Sequence, residues 1–216
     1  MRSLMRAFCV LALAVLQACA GEQPITLDLS GRELTFSKSG DYDFVVLEGA
    51  ATTTVVGAPA LPALAVNVVV PQNMRVTGVT WSPAATEEVE GKFLILPVQP
   101  PRPISSEKET PFVPPDPAVY NSDALYPMEL GRTAGQHSMQ GYNVASVLVY
   151  PLQYSPQSRT LKFHTRLTLN LAMESADLGY LPVGRRSKET RAAIEADVRS
   201  VVVNPDDVSR FAPKGQ

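Results

Sequence analysis

Proline divides this chain into short segments. It has no backbone N–H and a fixed φ, so it is excluded from helix interiors and from central strands. Eight of the 19 prolines lie between residues 97 and 117, where they favour an extended, stiff segment without ladder hydrogen bonds. Little periodicity follows before about Gly141, so the sequence predicts a long proline-rich loop over 97–141.

Runs of β-branched and aromatic residues between these breaks favour strands. The runs are short and are separated by turn residues such as Ser30–Gly31 and Gly57–Pro62. A series of this kind predicts a mostly β fold, with an antiparallel sandwich or barrel and a C-terminal helix. The predicted strands before the loop are Ile25–Leu29, Glu33–Ser37, Asp41–Glu48, Thr52–Val56, Ala63–Val70, Arg75–Trp81 and Lys92–Leu96.

The clearest local pattern follows the loop. Tyr142–Gln153 is rich in Val, Leu and Tyr, turn residues occupy 155–159, and Thr160–Met173 alternates apolar and polar side chains. A period of two gives one buried and one exposed face, so we predict a β-hairpin with His164 on its exposed face. The residues predicted on the buried face are Leu161, Phe163, Leu167, Leu169 and Leu171.

The C-terminal part has helical periodicity instead. Ser187 is a suitable N-cap for a helix running to about Val203, and Asn204–Pro205 ends it. The chain therefore divides into an N-terminal segment 1–20, a β-rich domain 21–175, and a linker with a helix over 176–216. The apolar face of the predicted helix consists of Ile194, Val198, Val201 and Val202.

The N-terminus has the features of an export signal. Two arginines precede the apolar run Ala7–Leu16, which is too short to span a bilayer, and Ala18 and Ala20 form an A-x-A cleavage pattern. Cleavage after Ala20 would release the domain to the periplasm or beyond the cell. Alternatively, residues 16–19 resemble a lipobox, and lipidation of Cys19 would tether the domain to a membrane.

The sequence contains no recognisable catalytic or metal-binding pattern. Its two cysteines, Cys9 and Cys19, both lie in or next to the export signal, so the exported domain has no thiol nucleophile. His137 and His164 are far apart in sequence and are interpreted as ordinary surface histidines. We therefore expect no cofactor, no metal and no catalytic residues.

Charge gives no indication of a nucleic-acid partner. The chain has a net charge of −2 at pH 7, whereas nucleic-acid binding needs a basic surface. Glu87, Glu88 and Glu90 are interpreted as a charged turn or sheet edge, which protects against edge-to-edge aggregation. Asp206–Asp207 is interpreted as a solvated helix stop rather than a cation site.

Three basic residues lie in the long loop segment: Arg102, Lys108 and Arg132. A proline-stiffened segment can present a side chain to a partner with little loss of conformational entropy. The alternative is that these residues are solubilising loop charges.

Two motifs lie in order along the chain. Gly57–Pro62 is followed by an apolar strand ending at Pro71, and Val149–Pro156 is followed by Leu161. The first resembles the "G-x-P-x-L-P…P" opening of the propeptides of gingipain-type (C25 family) cysteine peptidases, and the second is similar to their "P-x-Q-Y-N-P…L" hairpin, with Ser155 in place of the common Asn. The proline-rich stretch between them, with Tyr120 and Tyr126–Pro127, is similar to the family's middle part. The resemblance covers about residues 25–175.

The resemblance implies a β-rich, non-catalytic prodomain that precedes a Cys–His peptidase domain, assists its folding and covers its active-site cleft. In that family, inhibition can use a basic side chain on an exposed loop, placed in the pocket that normally takes a substrate Arg or Lys; the candidates in this chain are Arg102, Lys108 and Arg132, none of which aligns with a known inhibitory position. The implied partner is a C25 peptidase domain, in cis or in trans. The competing hypothesis is a secreted or lipid-anchored β-sandwich that serves as an envelope scaffold.

Processing is a further expectation for such a precursor. Arg185 and Arg186 lie in the predicted joint before the helix, and Arg210 follows the helix. An Arg-specific peptidase would cut at these positions.

Overall fold

The structure, a computed structural model, describes residues 24–101, 111–180 and 184–213. The described residues are mostly strand, in two four-stranded sheets and a separate two-stranded hairpin, with one long helix. The strands are β1 (Ile25–Asp28), β2 (Leu34–Ser39), β3 (Tyr42–Leu47), β4 (Ala51–Thr52), β5 (Pro62–Val70), β6 (Met74–Val89), β7 (Gly131–Met139), β8 (Tyr142–Val149), β9 (Leu152–Ser155) and β10 (Thr160–Ser175). The helices are α1 (Pro117–Tyr120), α2 (Lys188–Val201) and a 3₁₀ turn over Pro205–Asp207.

The first sheet is built around β10. Strand β6 pairs antiparallel with it along one edge, with Leu167 opposite Pro83. Along the other edge, β9 pairs with the start of β10 and β1 with its middle, where Ile25 lies opposite Leu169. One long strand thus joins segments from both ends of the described chain.

The second sheet has the antiparallel order β4-β5-β8-β7. Its two central strands, β5 and β8, pair with Leu64 opposite Val149. Strand β7 pairs with the other edge of β8, where Gly131 also lies opposite Val149. Strands β2 and β3 form a separate hairpin, in which Leu34 lies opposite Leu47.

The two sheets enclose the main core. Alternate residues of each strand point into it because successive strand side chains face opposite sides. Each fully buried Leu or Val contributes about 1.5–3 kcal/mol relative to an exposed one. The core includes Leu27, Leu47, Leu64, Val66, Val68, Ala145, Val147, Val149, Leu152, Leu161, Leu167 and Leu169.

Helix α2 packs on the outer face of the second sheet. Ser187 caps it as predicted, because its hydroxyl accepts a hydrogen bond from the Thr190 N–H at 3.1 Å. The predicted C-terminal limit was wrong: the helix ends at Val201, which is exposed, and Val202 is buried in extended conformation. The chain leaves the helix early because residues 202–204 run along the edge of β5 instead.

The predicted hairpin is shorter than expected. The alternation of β10 is confirmed, and Leu161, Leu167 and Leu169 are buried. However, β8 belongs to the second sheet, and of the predicted strand Tyr142–Gln153 only the end that lies in β9 pairs with β10. The break falls at Tyr150–Pro151, where proline cannot continue a ladder and the chain crosses between sheets.

Other strand limits also differ from the prediction. The loop predicted over 97–141 ends earlier, because Gly131–Met139 forms the edge strand β7. Most side chains of β7 are exposed and polar. Its sequence therefore lacks the apolar alternation that marks a half-buried strand. Conversely, Lys92–Leu96 makes only isolated bridges, and the strand predicted over Thr52–Val56 is reduced to β4.

His164 is buried, which corrects its predicted place on the exposed face. It lies within an irregularity of the β6–β10 ladder between Phe163 and Arg166, where side chains of β6 and β9 cover it. His164 is 3% exposed and lies between Thr86 and Gln153, with Nδ1 at 2.8 Å from the Thr86 hydroxyl and Nε2 at 3.0 Å from Gln153 Oε1. The Gln153 amide N–H donates to the Pro127 carbonyl, so Oε1 accepts the proton of neutral Nε2–H.

Acid is expected to destabilise this junction. Burial lowers the pKa of His164 below its ordinary value of 6.5, and Lys162 adds repulsion. The unfolded chain then binds the proton more readily than the folded one, so the free energy of unfolding falls as pH drops below about 6.5. The loss levels off once the folded state is protonated as well.

Denaturant unfolding at pH 7.5 and pH 5.5 would measure this dependence. In His164→Gln, the corresponding part of the pH dependence should disappear. His137→Gln is the matched control, because His137 is exposed on β7 and its replacement should leave the profile unchanged. An identical profile for wild type and His164→Gln would contradict the prediction.

Candidate functional site

The chain segments on either side of the proline-rich loop are joined by a side-chain amide. The Val113 N–H donates to Gln99 Oε1 at 2.8 Å, and Gln99 Nε2 donates to the Val113 carbonyl at 2.9 Å. The same amide nitrogen also donates to the Pro97 carbonyl at 2.9 Å. The Gln99 side chain therefore bonds to both backbone groups of Val113, as a residue of a neighbouring strand would. It joins the two ends of the loop between 99 and 113.

Gly57 connects both segments to the rest of the domain. Its N–H donates to the Val98 carbonyl, and its carbonyl accepts from the Asp116 N–H, both at 2.9 Å. The Val98 N–H donates in turn to the Ala58 carbonyl at 2.8 Å. Gly57 has φ of +83°, and an added Cβ would lie 3.5 Å from Asp116 Cβ, so glycine suits this crossing best. We call residues 97–99 and 113–116, with Gly57 and Ala58, the loop base.

A buried carboxylate fixes the strand-like segment that leads into the loop base. Asp43 is 8% exposed, accepts from the Leu94 N–H at 2.7 Å and is paired with Lys38 at 2.7 Å. Its backbone pairs on both sides, because the Asp43 N–H donates to the Leu94 carbonyl and its carbonyl accepts from the Leu96 N–H. The path from 94 to 98 is therefore held by main-chain as well as side-chain hydrogen bonds.

Two tyrosine hydroxyls donate hydrogen bonds to the main chain at the start of the same segment. The Tyr120 hydroxyl donates to the Ile95 carbonyl at 2.6 Å, and the Tyr154 hydroxyl donates to the Phe93 carbonyl at 2.8 Å. Burial raises the pKa of both tyrosines, so each remains a neutral donor at physiological pH. Helix α1, which carries Tyr120, starts from Asp116 of the loop base, whose carboxylate caps the Ala118 N–H at 2.9 Å.

Apolar side chains are exposed next to the loop base. Val55, Val56 and Phe112 are 62%, 44% and 53% exposed. The Phe112 ring packs against the Tyr42 ring, with the ring centroids 5.7 Å apart. Exposed apolar groups that cluster around one site are typical of contact surfaces.

Arg102 and Lys108 lie outside the described residues, between the two segments that the loop base joins. Arg132 is described, and its predicted place in a loop was wrong: it lies on strand β7, where its Nε donates to the Tyr150 hydroxyl at 3.1 Å. Arg132 therefore lies on a strand that is not part of the loop base.

Sequence reasoning missed the residues that close the loop. Gln99 lies among prolines and has no periodic context that would single it out. Gly57 was noted only as part of a run of turn residues and of a family-like motif, although glycine at such a break in the chain is typical of a positive φ.

The candidate processing residues differ in their surroundings. Arg185 is exposed, and the Arg186 guanidinium donates to the Gln140 carbonyl at 2.9 Å. Arg210 is 3.8 Å from the Asp207 carboxylate and lies over the Phe211 ring. Ala20 and Cys19 lie outside the described residues.

In the described part of the chain, no group of three or more His, Cys, Asp or Glu side chains could hold a metal ion. Glu87 and Glu88 are exposed on β6, at the edge of the first sheet. No described helix combines the length and apolar character needed to cross a bilayer.

The fold is similar to that of solved gingipain prodomains. In the complex of Porphyromonas gingivalis RgpB pro- and mature domains, the match has a TM-score of 0.61 at 17% identity, over 87% of this chain and 94% of that chain. A structure on the zymogenic latency of gingipain K from Porphyromonas gingivalis matches with a TM-score of 0.51 at 23% identity, over 65% and 81%. The predicted fold class, a mostly antiparallel β prodomain with a C-terminal helix, is thereby confirmed.

The family follows from the sequence match. The Propeptide_C25 family model matches residues 34–193, so this chain belongs to the C25 peptidase propeptide family. Lys-gingipain and Lys-gingipain W83 of Porphyromonas gingivalis are each 28% identical over 147 residues, which is 65% of this chain. The chain corresponds to about 8% of the length of these curated relatives. It is a propeptide domain, a kind of domain that is the non-catalytic part of gingipain precursors.

Proposed function

We propose that this domain binds over the active-site cleft of a C25-type cysteine peptidase domain, in cis or in trans, inhibits it, and assists its folding. The loop base is the observation that supports this proposal most directly. It fixes both ends of a segment that carries two basic side chains, Arg102 and Lys108, and so defines where that segment leaves the domain.

Inhibition would be steric and electrostatic. A basic side chain from 102–110 would enter the pocket that takes a substrate Arg or Lys, and the rest of the domain would block the cleft. The fixed ends and the prolines lower the entropy lost when the segment binds. Arg132 remains a candidate for a contact from β7 rather than from a loop.

Export is part of the same proposal. Residues 1–20 would act as a signal, removed after Ala20 or replaced by a lipid on Cys19, and the domain would act in the periplasm, at the outer membrane or outside the cell. The alternative of an envelope scaffold without inhibitory activity has no support from the similarities found.

Titration of a purified gingipain-type peptidase domain with residues 21–216 of this chain tests the proposal. We expect stoichiometric inhibition, since an interface of roughly 1,600 Å² is sufficient for tight binding. Papain-type peptidases, which lack the C25 cleft, serve as the specificity control. Unchanged turnover of several C25 peptidases at a large excess of the domain would overturn the inhibitory function.

A further inference from the structure

The segment 187–213, which we call the clasp, packs on the outer face of the second sheet. It is amphipathic, and its apolar side chains form a second core that is separate from the one between the sheets. Val198 and Val208 are fully buried there, against Val69 and Val144. The complete second core consists of Val69, Tyr142, Val144, Ile194, Val198, Val202, Val208 and Phe211.

The clasp also extends the second sheet by hydrogen bonds. The Val203 N–H donates to the Asn67 carbonyl at 2.9 Å. Asn204 is buried, and its side-chain amide pairs with both backbone groups of Val69: Oδ1 accepts from the N–H and Nδ2 donates to the carbonyl, each at 2.9 Å. The clasp thereby fills the edge of β5 over 67–69, as an added strand would.

The chain that leads into the clasp is built differently. Residues 176–180 and 184–187 contain neither helix nor strand. Arg185 is exposed, and Arg186 is held mainly through its guanidinium on the Gln140 carbonyl. A peptidase binds its substrate in extended form. Residues 184–187 have no helix or strand that must unfold before they can bind in this way.

The bond after Arg210 is part of the clasp itself. Phe211 is 8% exposed, its N–H donates to the Asp207 carbonyl at 3.0 Å, and its own carbonyl accepts from Gln72 Nε2 at 2.8 Å. Cleavage there requires that this turn first unwind and that Phe211 leave its core. The two candidate processing positions therefore differ in the structure that must be lost before cutting.

We propose that cleavage at Arg185 or Arg186 does not divide the domain, because residues 187–213 stay bound to the second sheet as a separate chain. The same contacts protect the bond after Arg210 until the clasp detaches. Cleavage of the joint thus produces a two-chain domain, and cutting alone releases nothing. This inference requires no inhibitory activity and goes beyond the proposed function.

Digestion of the native domain with an Arg-specific peptidase of the trypsin type tests it. Timed mass spectrometry should show cleavage after Arg185 or Arg186 well before Arg210. The two products should elute together in size-exclusion chromatography, with the summed mass in native mass spectrometry, and separate only in denaturant. Separate elution in buffer, a joint that stays uncut, or earlier cleavage after Arg210 would each overturn the proposal.

Two matched variants make the test specific to the clasp. Val198→Asp places a charge in the second core, whereas Ala196→Asp places the same charge on the exposed face of the same helix. After cleavage, the Val198→Asp products should separate and those of Ala196→Asp should stay together. Asn204→Ala, which removes the pairing with Val69, should raise the dissociation rate at least tenfold. Equal retention in all three variants would contradict the assigned contacts.

Discussion

Replacement of both Arg102 and Lys108 with alanine is expected to raise the inhibition constant against a C25 peptidase by 100-fold or more. A basic anchor in a desolvated pocket contributes about 2–4 kcal/mol, which corresponds to roughly 30- to 1,000-fold in affinity. Progress-curve measurement of the inhibition constant, with circular dichroism to verify folding, checks this result. An unchanged constant in the double variant would contradict the role of these residues.

Single variants identify the anchor. If Arg102 fills the pocket, Arg102→Ala should account for nearly the whole loss, and Lys108→Ala for the remainder; the reverse holds if Lys108 does so. Arg132→Ala should have a smaller effect, since Arg132 lies on β7 and already donates to Tyr150. Gln99→Ala should weaken inhibition by a smaller factor, because it opens the loop base but leaves both basic side chains in place.

The residue that follows each candidate anchor gives a second way to tell which of the two fills the pocket. Arg102 is followed by Pro103, whose tertiary amide and missing N–H make the bond a poor substrate, whereas Lys108 is followed by Glu109. Were Arg102 the anchor, Pro103→Ala should convert a lasting inhibitor into one that the peptidase slowly cuts after Arg102. Were Lys108 the anchor, this substitution should leave the duration of inhibition unchanged.

Asn143→Leu is expected to lower the free energy of unfolding by about 2–4 kcal/mol, because loss of several buried hydrogen bonds at one site costs roughly 1–3 kcal/mol per unsatisfied group. Asn143 is fully buried, and its Nδ2 donates to the Pro71 and Met74 carbonyls at 2.7 and 2.9 Å. Its Oδ1 accepts from Gln136 Nε2 at 2.8 Å. Leucine has a similar volume but makes none of these bonds.

Urea unfolding measures this change. Ser146→Ala is the matched control, since Ser146 lies on the same strand, is half-buried and makes a single side-chain bond to Asn67 at 2.9 Å. We expect it to cost about 1 kcal/mol or less. Equal stability of Asn143→Leu and the wild type would show that these bonds do not hold the turn between β5 and β6.

Local patterns in the sequence predicted the features that depend on near neighbours. The strands predicted over Ala63–Val70 and Thr160–Met173 are present as β5 and β10, because alternation and β-branched residues act within a single segment. Ser187 was predicted as a cap because its hydroxyl needs only the N–H three residues on. The family-like motifs at Gly57–Pro62 and Val149–Pro156 were also readable directly and led to the family that the match over 34–193 confirms.

Long-range pairing decided what the sequence left open. Strand β8 has a pattern that fits either sheet, and only its pairing with β5, about 80 residues away, assigns it to the second one. His164 is buried between Gln153 of β9 and Thr86 of β6, and Thr86 comes far earlier in the chain. The side chains of β7 carry too weak an apolar pattern to mark a strand without β8 beside it.

The sequence by itself determined strands with a clear local pattern such as β5 and β10, the N-cap of the helix, the absence of a thiol in residues 21–216, and the family-like motifs, because each depends on residue types or on near neighbours. The tertiary structure alone decided that Gln99 closes the loop, that Asn204 completes the edge of β5, and that residues 187–213 form a second core. These features join residues that are far apart in the chain; Val69 and Asn204, for example, are 135 positions apart. Hydrogen bonds between such residues arise only when the sheets have packed, so no local pattern in the chain encodes them.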